Sequence, residues 1–380
     1  MVSEAHIEDC YLQIGEALGV DAAYHWDKQQ QIPRETLVTL NHYGLLSANI
    51  PKLYGGKELA PIEFGSLCEF CGKMSGSLLS ILTVHNMVSY VLSRWGTDLQ
   101  KKSLLPKLAS GENIAAFAIS EENAGSNPEG VETIATKNPS GNFIINGAKK
   151  WISGGQIADL YMVLVNVDGQ LSTFLIPKET PGISVRPIKD IYGFRAAMLA
   201  EISFKDCVVS EDALLGGLGN GFTYIVNSSL DLGRYAIAWG ALGLAQSCLE
   251  SSLSYASQRK QFGQLLNEQQ LIQEMLTDMA VDIEAARSLC LRAGEQRANV
   301  DPTGIMTTTM AKYCSSKIAI KSANSAMQIH GAAGYADDSN VARHLRDAKV
   351  FEIIEGSSQI QQMLIAKLVS QHYQVRKARG

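Results

Sequence analysis

The chain has 380 residues, a formal net charge of -5 at pH 7, 46% hydrophobic residues and 19% charged residues. That apolar content suffices for a large buried core and excludes disorder as the main state, and the length suits two or three domain-sized units. The acidic balance argues against a nucleic-acid binder, and the one basic run, Arg376, Lys377 and Arg379, reads as a solvated terminus.

Taken in chain order, the N-terminus carries Glu4, His6, Glu8 and Asp9 rather than a basic-then-apolar leader, so a cytoplasmic location is expected. Residues 1–113 read as an N-terminal α-helical domain. Ile50-Pro51 and Tyr54-Gly55-Gly56 mark a break between helices. Residues 62–95 carry Leu, Ile, Val and Met at helical spacing, with Ser77, Ser80, His85 and Ser89 among them. Lys101 to Leu108 reads as a further helix ending near Ser110-Gly111. Seven cysteines in no framework spacing read as reduced thiols. Cys68-x-x-Cys71 has no second pair to complete a zinc site and reads as core thiols.

Residues 114–218 change texture to alternation and short β-rich runs, a middle β-domain. Phe143-Ile144-Ile145 leads into Asn146-Gly147, a tight-turn signal, and Tyr161–Val167 and Leu171–Ile176 flank Asp168-Gly169, a hairpin signal. From 219 to 380 helix returns as a four-helix bundle. Ile272, Met275, Met279, Ile283, Ala286 and Cys290 share one helix face, and Tyr235–Leu244 is apolar nearly all round. Ala236 to Ala245, the longest apolar candidate, falls short of the roughly 18 residues of a membrane helix. The order of helices, β-domain and bundle is α+β and lacks the alternation of a doubly wound nucleotide-binding sheet.

Local motifs are sparse. Gly217-Leu218-Gly219-Asn220-Gly221 does not fit the spaced dinucleotide fingerprint and reads as a connector into the next helix. There is no G-x-S-x-G elbow and no metal-type histidine pair, so no metal is expected, and the seven histidines are scattered. Glu355 closes the apolar run Val350–Ile354 and precedes Gly356-Ser357-Ser358. Two readings are open: an exposed turn residue, or a carboxylate aimed into an apolar pocket, where desolvation would suit it to proton abstraction.

Five segments in order resemble the acyl-CoA dehydrogenase superfamily: Ala118–Asn127, Lys150–Gly155, Gln258–Gly263, Gln328–Tyr335, and Arg346–Lys349 with Ile354–Ile360. Arg234–Gly240 and Glu352–Ser358 are similar to the FkbI-type branch, which oxidises acyl groups held by an acyl carrier protein for methoxymalonyl-type extender units of polyketide biosynthesis. The resemblance implies an acyl-CoA dehydrogenase fold: an N-terminal α-helical domain, a middle β-barrel and a C-terminal four-helix bundle, assembled as a homodimer or homotetramer. It implies FAD between barrel and bundle and Glu355 as catalytic base; the alternative base position falls on Gly233, which cannot serve. Ser120, Trp151 and Ser153 match positions at the isoalloxazine. Arg259, Phe262 and Gln270 match positions at the adenosine and pyrophosphate end, often of a neighbouring subunit's FAD. Gln328, Gly331, Ser357 and Gln359 match further FAD contacts, and Ser126, Arg234 and Gly356 match the acyl-pantetheine channel.

Asn127, Glu122-Asn123 and Ala332 depart from the family's pattern near the cofactor and the pantetheine entry. A glycerate-derived acyl unit oxidised toward hydroxymalonyl is the first expectation for the substrate. An aminomalonyl-forming unit and ordinary α,β-desaturation of a short chain stay open beside it. So do a flavin oxidase or monooxygenase on the same scaffold and a non-enzymatic helical interaction protein. The resemblance leaves the electron acceptor open.

Overall fold

The computed structural model describes residues 14, 18, 19 and 21–379, with side chains described to residue 374. Cys10 and the N-terminal Glu4, His6, Glu8 and Asp9 lie outside the described residues, as do the side chains of Arg376, Lys377 and Arg379.

The architecture is α+β. The N-terminal helices are α1 (Ala22–Gln29), α2 (Arg34–Leu40), α3 (Pro61–Met74), α4 (Gly76–Trp95) and α5 (Asp98–Ser110). Ser75 divides the apolar stretch 62–95 in two: its backbone is extended and its hydroxyl accepts from the Leu78 N–H, capping α4. The cap on α5 is a reciprocal Thr97/Gln100 box, so that helix starts before the expected Lys101, and Gly111 ends it in left-handed conformation. By length and composition α4 could cross a membrane, unlike the shorter segment singled out from sequence, but nearly all of it is packed inside the protein. Cys68 and Cys71 are buried free thiols, both pushed up by desolvation.

The middle strands are β1 (Ala115–Ala118), β2 (Ile134–Lys137), β3 (Phe143–Ile152), β4 (Leu160–Val167), β5 (Gln170–Pro177), β6 (Ile183–Pro187), β7 (Ala200–Val209) and β8 (Leu214–Leu215). They form one sheet in the order β6-β7-β3-β2-β4-β5-β8, with β1 parallel to β4. The central strand β4 explains the two-sided burial. Leu160, Met162 and Leu164 pack toward α4 and α5, whereas Tyr161, Val163, Val165 and Val167 pack into the sheet's own core with Phe143 and Phe174. Asp168-Gly169 is a two-residue hairpin turn with both residues at positive φ and Val167 opposite Gln170.

Asn146-Gly147 is not the turn its sequence suggests. It lies inside β3, at a register shift against β7, with Gly147 at φ 145°. A Cβ on Gly147 would lie 2.7 Å from the Thr133 Cα, so the glycine serves a bulge and a close backbone approach.

The C-terminal region holds α6 (Asn227–Ala256), α7 (Gln270–Ala298), α8 (Gly304–His330), α9 (Asn340–Phe351) and α10 (Ser358–Arg379). The glycine-rich connector runs into one turn of π-helix, Gly221–Val226, ahead of α6. The middle of α6 is buried all round, and α7 buries Met279, Ile283, Ala286 and Cys290 on the face read from the sequence.

Candidate active site

Two constellations lie along α4, one beside Ser80 and the other beside Met87. The first sits at the end of β3. A second register shift, between Lys149 and Ile152, takes Trp151 out of the ladder at φ 64° and leaves it half exposed, at 52%, with the Lys150 Nζ 5.3 Å from its ring centre. The Ser120 carbonyl accepts from the Lys150 N–H at 2.9 Å, which brings the ends of β1 and β3 together. Ser153 Oγ accepts from Ser80 Oγ of α4 at 2.9 Å. A flat aromatic face beside two serine positions fits a planar heteroaromatic ring with a hydrogen-bonding edge, as an isoalloxazine has.

The second constellation is the turn between α9 and α10. Glu355 and Gly356 are both left-handed, at φ 53° and 86°. A non-glycine residue held this way is costly and marks a site whose surroundings over-determine it. Glu355 as a whole is half-buried, but Oε2 is shut from solvent and has no hydrogen-bond partner. Desolvation pushes its carboxyl up to about 7, against the opposing pull of the Arg234 and Lys312 cations. Of the two open readings, the buried carboxylate is the one the structure adopts.

Gly233 makes room for it. A Cβ there would lie 2.3 Å from Glu355 Oε2 and 2.9 Å from Met87 Sδ. Met87 and Ser80 are seven residues apart on α4, about 10 Å of helix rise, so this one helix spans from the Ser153 edge to the carboxylate. Leu79 packs against Gly240, about two turns beyond Gly233 on α6, and fills the space there.

The remaining residues divide between these places and a third. Ser357 and exposed Gln359 flank the Glu355 turn. Arg234 directs Nε at the Glu355 carbonyl, 3.4 Å away. Arg259, Phe262 and Gln270 lie at one end of the bundle, where Tyr255 stacks on His330 at 4.5 Å and so joins them to Gln328 and Gly331. Phe262 is 96% exposed and Leu271 72%. Ser126 is exposed on the loop between β1 and β2. The departures from the family pattern are tied down locally: Glu122 pairs with Lys150, Asn123 donates to Glu132 at 3.2 Å, and Asn127 Oδ1 accepts from the Glu129 N–H at 3.3 Å.

Sequence reasoning passed over Lys312, Gln361 and Met87. Lys312 carried a signal: it is a lysine on the buried stripe of α8, beside Ala311 and a turn from Thr308, Ser315 and Ser316.

Comparison with known proteins places these features in context. The sequence matches the acyl-CoA dehydrogenase N-terminal domain over residues 16–112, the middle domain over 116–207 and the C-terminal domain over 219–370. It is 37% identical over 352 residues to the probable acyl-CoA dehydrogenase YngJ of Bacillus subtilis (strain 168), covering 91% of this chain and 92% of that one. Among solved structures it is similar to butyryl-CoA dehydrogenase from Megasphaera elsdenii, with a TM-score of 0.92 and 30% identity over 97% of this chain and 99% of that one. It is also similar to the prolyl acyl carrier protein oxidase AnaB, with a TM-score of 0.90 and 30% identity over 96% and 97% of the two chains. FkbI, for biosynthesis of the methoxymalonyl extender unit of the Fk520 polyketide, gives a TM-score of 0.88 and 30% identity over 95% and 99%.

Proposed function

The chain belongs to the acyl-CoA dehydrogenase family, FAD-dependent oxidoreductases of acyl thioesters, and from that premise we propose that Glu355 is the base that removes the proton next to the thioester carbonyl. The single observation behind this is the orphaned, buried Oε2 in a left-handed turn. A carboxyl pushed up to about 7 is matched to proton abstraction near neutral pH. Bound FAD supplies the hydride acceptor. Ser120, Trp151 and Ser153 would hold its ring, and Ser357, Gln359, Gln328 and Gly331 further parts of it. Arg259, Phe262 and Gln270 would hold the far end, and the exposure of Phe262 and Leu271 suits cover by a second copy of the chain. Exclusion of water by the packing of α4 against α6 strengthens the charge interactions around Glu355.

The substrate we infer is a short acyl group on the phosphopantetheine of an acyl carrier protein, oxidised toward an extender unit of hydroxymalonyl type. The side chains of Leu79 against Gly240 and of Met87 beside Gly233 take up space along α6, which supports a short chain. Likeness to AnaB and FkbI supports the carrier protein. A second reading, desaturation of a short acyl-CoA, is favoured by the higher identity to YngJ and by the overlap with butyryl-CoA dehydrogenase. Mass spectrometry decides between them. Glyceryl, seryl and butyryl groups are offered on a carrier protein and on CoA, with and without oxygen. Loss of two hydrogens from a carrier-bound polar unit supports the first reading, and turnover confined to CoA thioesters overturns it.

A further inference from the structure

The two carbonyls of the Glu355–Gly356 turn are met from three helices. Gln361 of α10 donates Nε2 to the Glu355 and Gly356 carbonyls, each at 3.0 Å. Lys312 of α8 donates Nζ to the Gly356 carbonyl at 2.8 Å, and Arg234 of α6 brings Nε to 3.4 Å from the Glu355 carbonyl. Lys312 and Gln361 are fully buried. The fit is close: a Cβ on Gly356 would lie 2.6 Å from Gln361 Nε2. One turn along α8, Ser316 Oγ donates to the Phe351 carbonyl at 3.0 Å, so this helix holds both ends of the loop.

A buried ammonium is a costly way to satisfy a carbonyl, because a neutral amide would do it with far less desolvation. Burial pulls Lys312 down to about 8, and the Glu355 carboxylate pulls the other way. What the cation adds over an amide is its charge. The charged groups around Glu355 are few. Arg234 and Lys312 act on it directly. Asp231 of α6 acts on Arg234 but is held by Arg297 of α7. Glu352 acts on Lys312 but is held by Lys317 of α8 and Lys349 of α9. Both acids are answered by other cations, so Arg234 and Lys312 remain as the positive charge facing the carboxylate.

We propose that Lys312 and Gln361 are positioning residues for Glu355 with separate contributions. Both hold the left-handed turn in place, and of the two only Lys312 adds, to that of Arg234, charge that favours the ionised carboxylate. The inference rests on Glu355 being the base.

The test compares FAD-loaded wild type, Lys312→Met, Lys312→Arg and Gln361→Met in kcat and kcat/KM across pH. Both methionine variants lose at least about tenfold in kcat, with KM within about threefold and the visible flavin spectrum kept. Only Lys312→Met moves the acidic limb of kcat/KM to higher pH, by about one unit, because loss of a nearby cation disfavours the carboxylate; Lys312→Arg restores the limb. A limb that stays at the wild-type position in Lys312→Met overturns the proposal. Glu355→Gln separates the two readings. An inactive Glu355→Gln with an unmoved Lys312→Met limb sinks this inference alone, and an active Glu355→Gln sinks the base itself. Should Lys312→Met fail to accumulate, Lys312→Gln, an amide donor without charge, is judged by the same limb.

Discussion

Glu121 in the β-region and Glu355 in the bundle are two buried carboxylates, each in the field of a buried lysine, and they end in opposite states. Glu121 is 5% exposed and saturated: it accepts from Lys149 Nζ and Thr133 Oγ1, each at 2.6 Å, and from the Glu132 and Thr133 N–H groups at 2.6 and 3.1 Å. Burial works to raise its pKa, but these donors outweigh it and hold the carboxyl below its usual value. Glu355 has no donor on Oε2, and Lys312 spends its hydrogen bond on a carbonyl, so desolvation wins and the carboxyl rises. A filled donor shell makes a carboxylate a structural pin, here for the loop that carries Ser126. An empty shell leaves it free to take a proton.

The largest expected effect is at the empty one. Glu355→Gln retains FAD and loses turnover by about 10²–10⁴-fold, followed as anaerobic flavin bleaching on substrate addition. The same variant melts higher than wild type at pH 8. The folded-state pKa of Glu355 is raised, so its ionisation costs the native state stability as pH climbs from 4.5 toward about 7. The difference between the two proteins closes below that window. A wild-type protein as stable as the variant at pH 8 would mean that Glu355 is solvated.

Breaking the saturated pair costs stability. Glu121→Gln strands the Lys149 charge in the sheet and destabilises by about 3–5 kcal/mol in chemical denaturation at neutral pH. Because the Glu121 pKa is lowered, its contribution is present above 4.5 and fades as pH falls through the depressed folded value, so the variant and wild type converge in acid. A constant difference across pH would assign the loss to packing instead.

Gly233→Ala puts a methyl 2.3 Å from the present Oε2 position and so forces the carboxylate to shift while leaving the carboxyl group itself in place. We expect kcat to fall about 10–100-fold with FAD retained. The mildest change is distant from both glutamates: Arg259→Ala weakens FAD retention about tenfold, read as flavin lost on gel filtration. Full yellow colour in that variant would count against a cofactor role for the bundle end.

How far the sequence could be read depended on the range of the interactions. The Asp168-Gly169 hairpin needs only its own two residues at positive φ, and the α7 stripe is a local periodicity, so both were legible. Asn146-Gly147 carries the same turn signal as Asp168-Gly169, but it lies within β3 at a bulge, where Thr133, just ahead of β2, comes close to Gly147. Glu355 was a candidate on motif resemblance while its local sequence allowed a solvated turn. Lys312 stood out only as a lysine on an otherwise uncharged stripe, and its role was not legible because its partner lies 44 residues away.

By itself the sequence determined the order of helices, sheet and bundle, the cores of α4, α6 and α7, and the membership of a family that uses FAD, because periodicity and motif order are written along the chain. Only the tertiary structure decided that the Glu355 oxygen is orphaned while the Glu121 oxygens are saturated, and that Gly233 and Met87 border the former. A carboxylate's proton affinity is set by desolvation and by donors from other elements, and both exist only once the helices have packed.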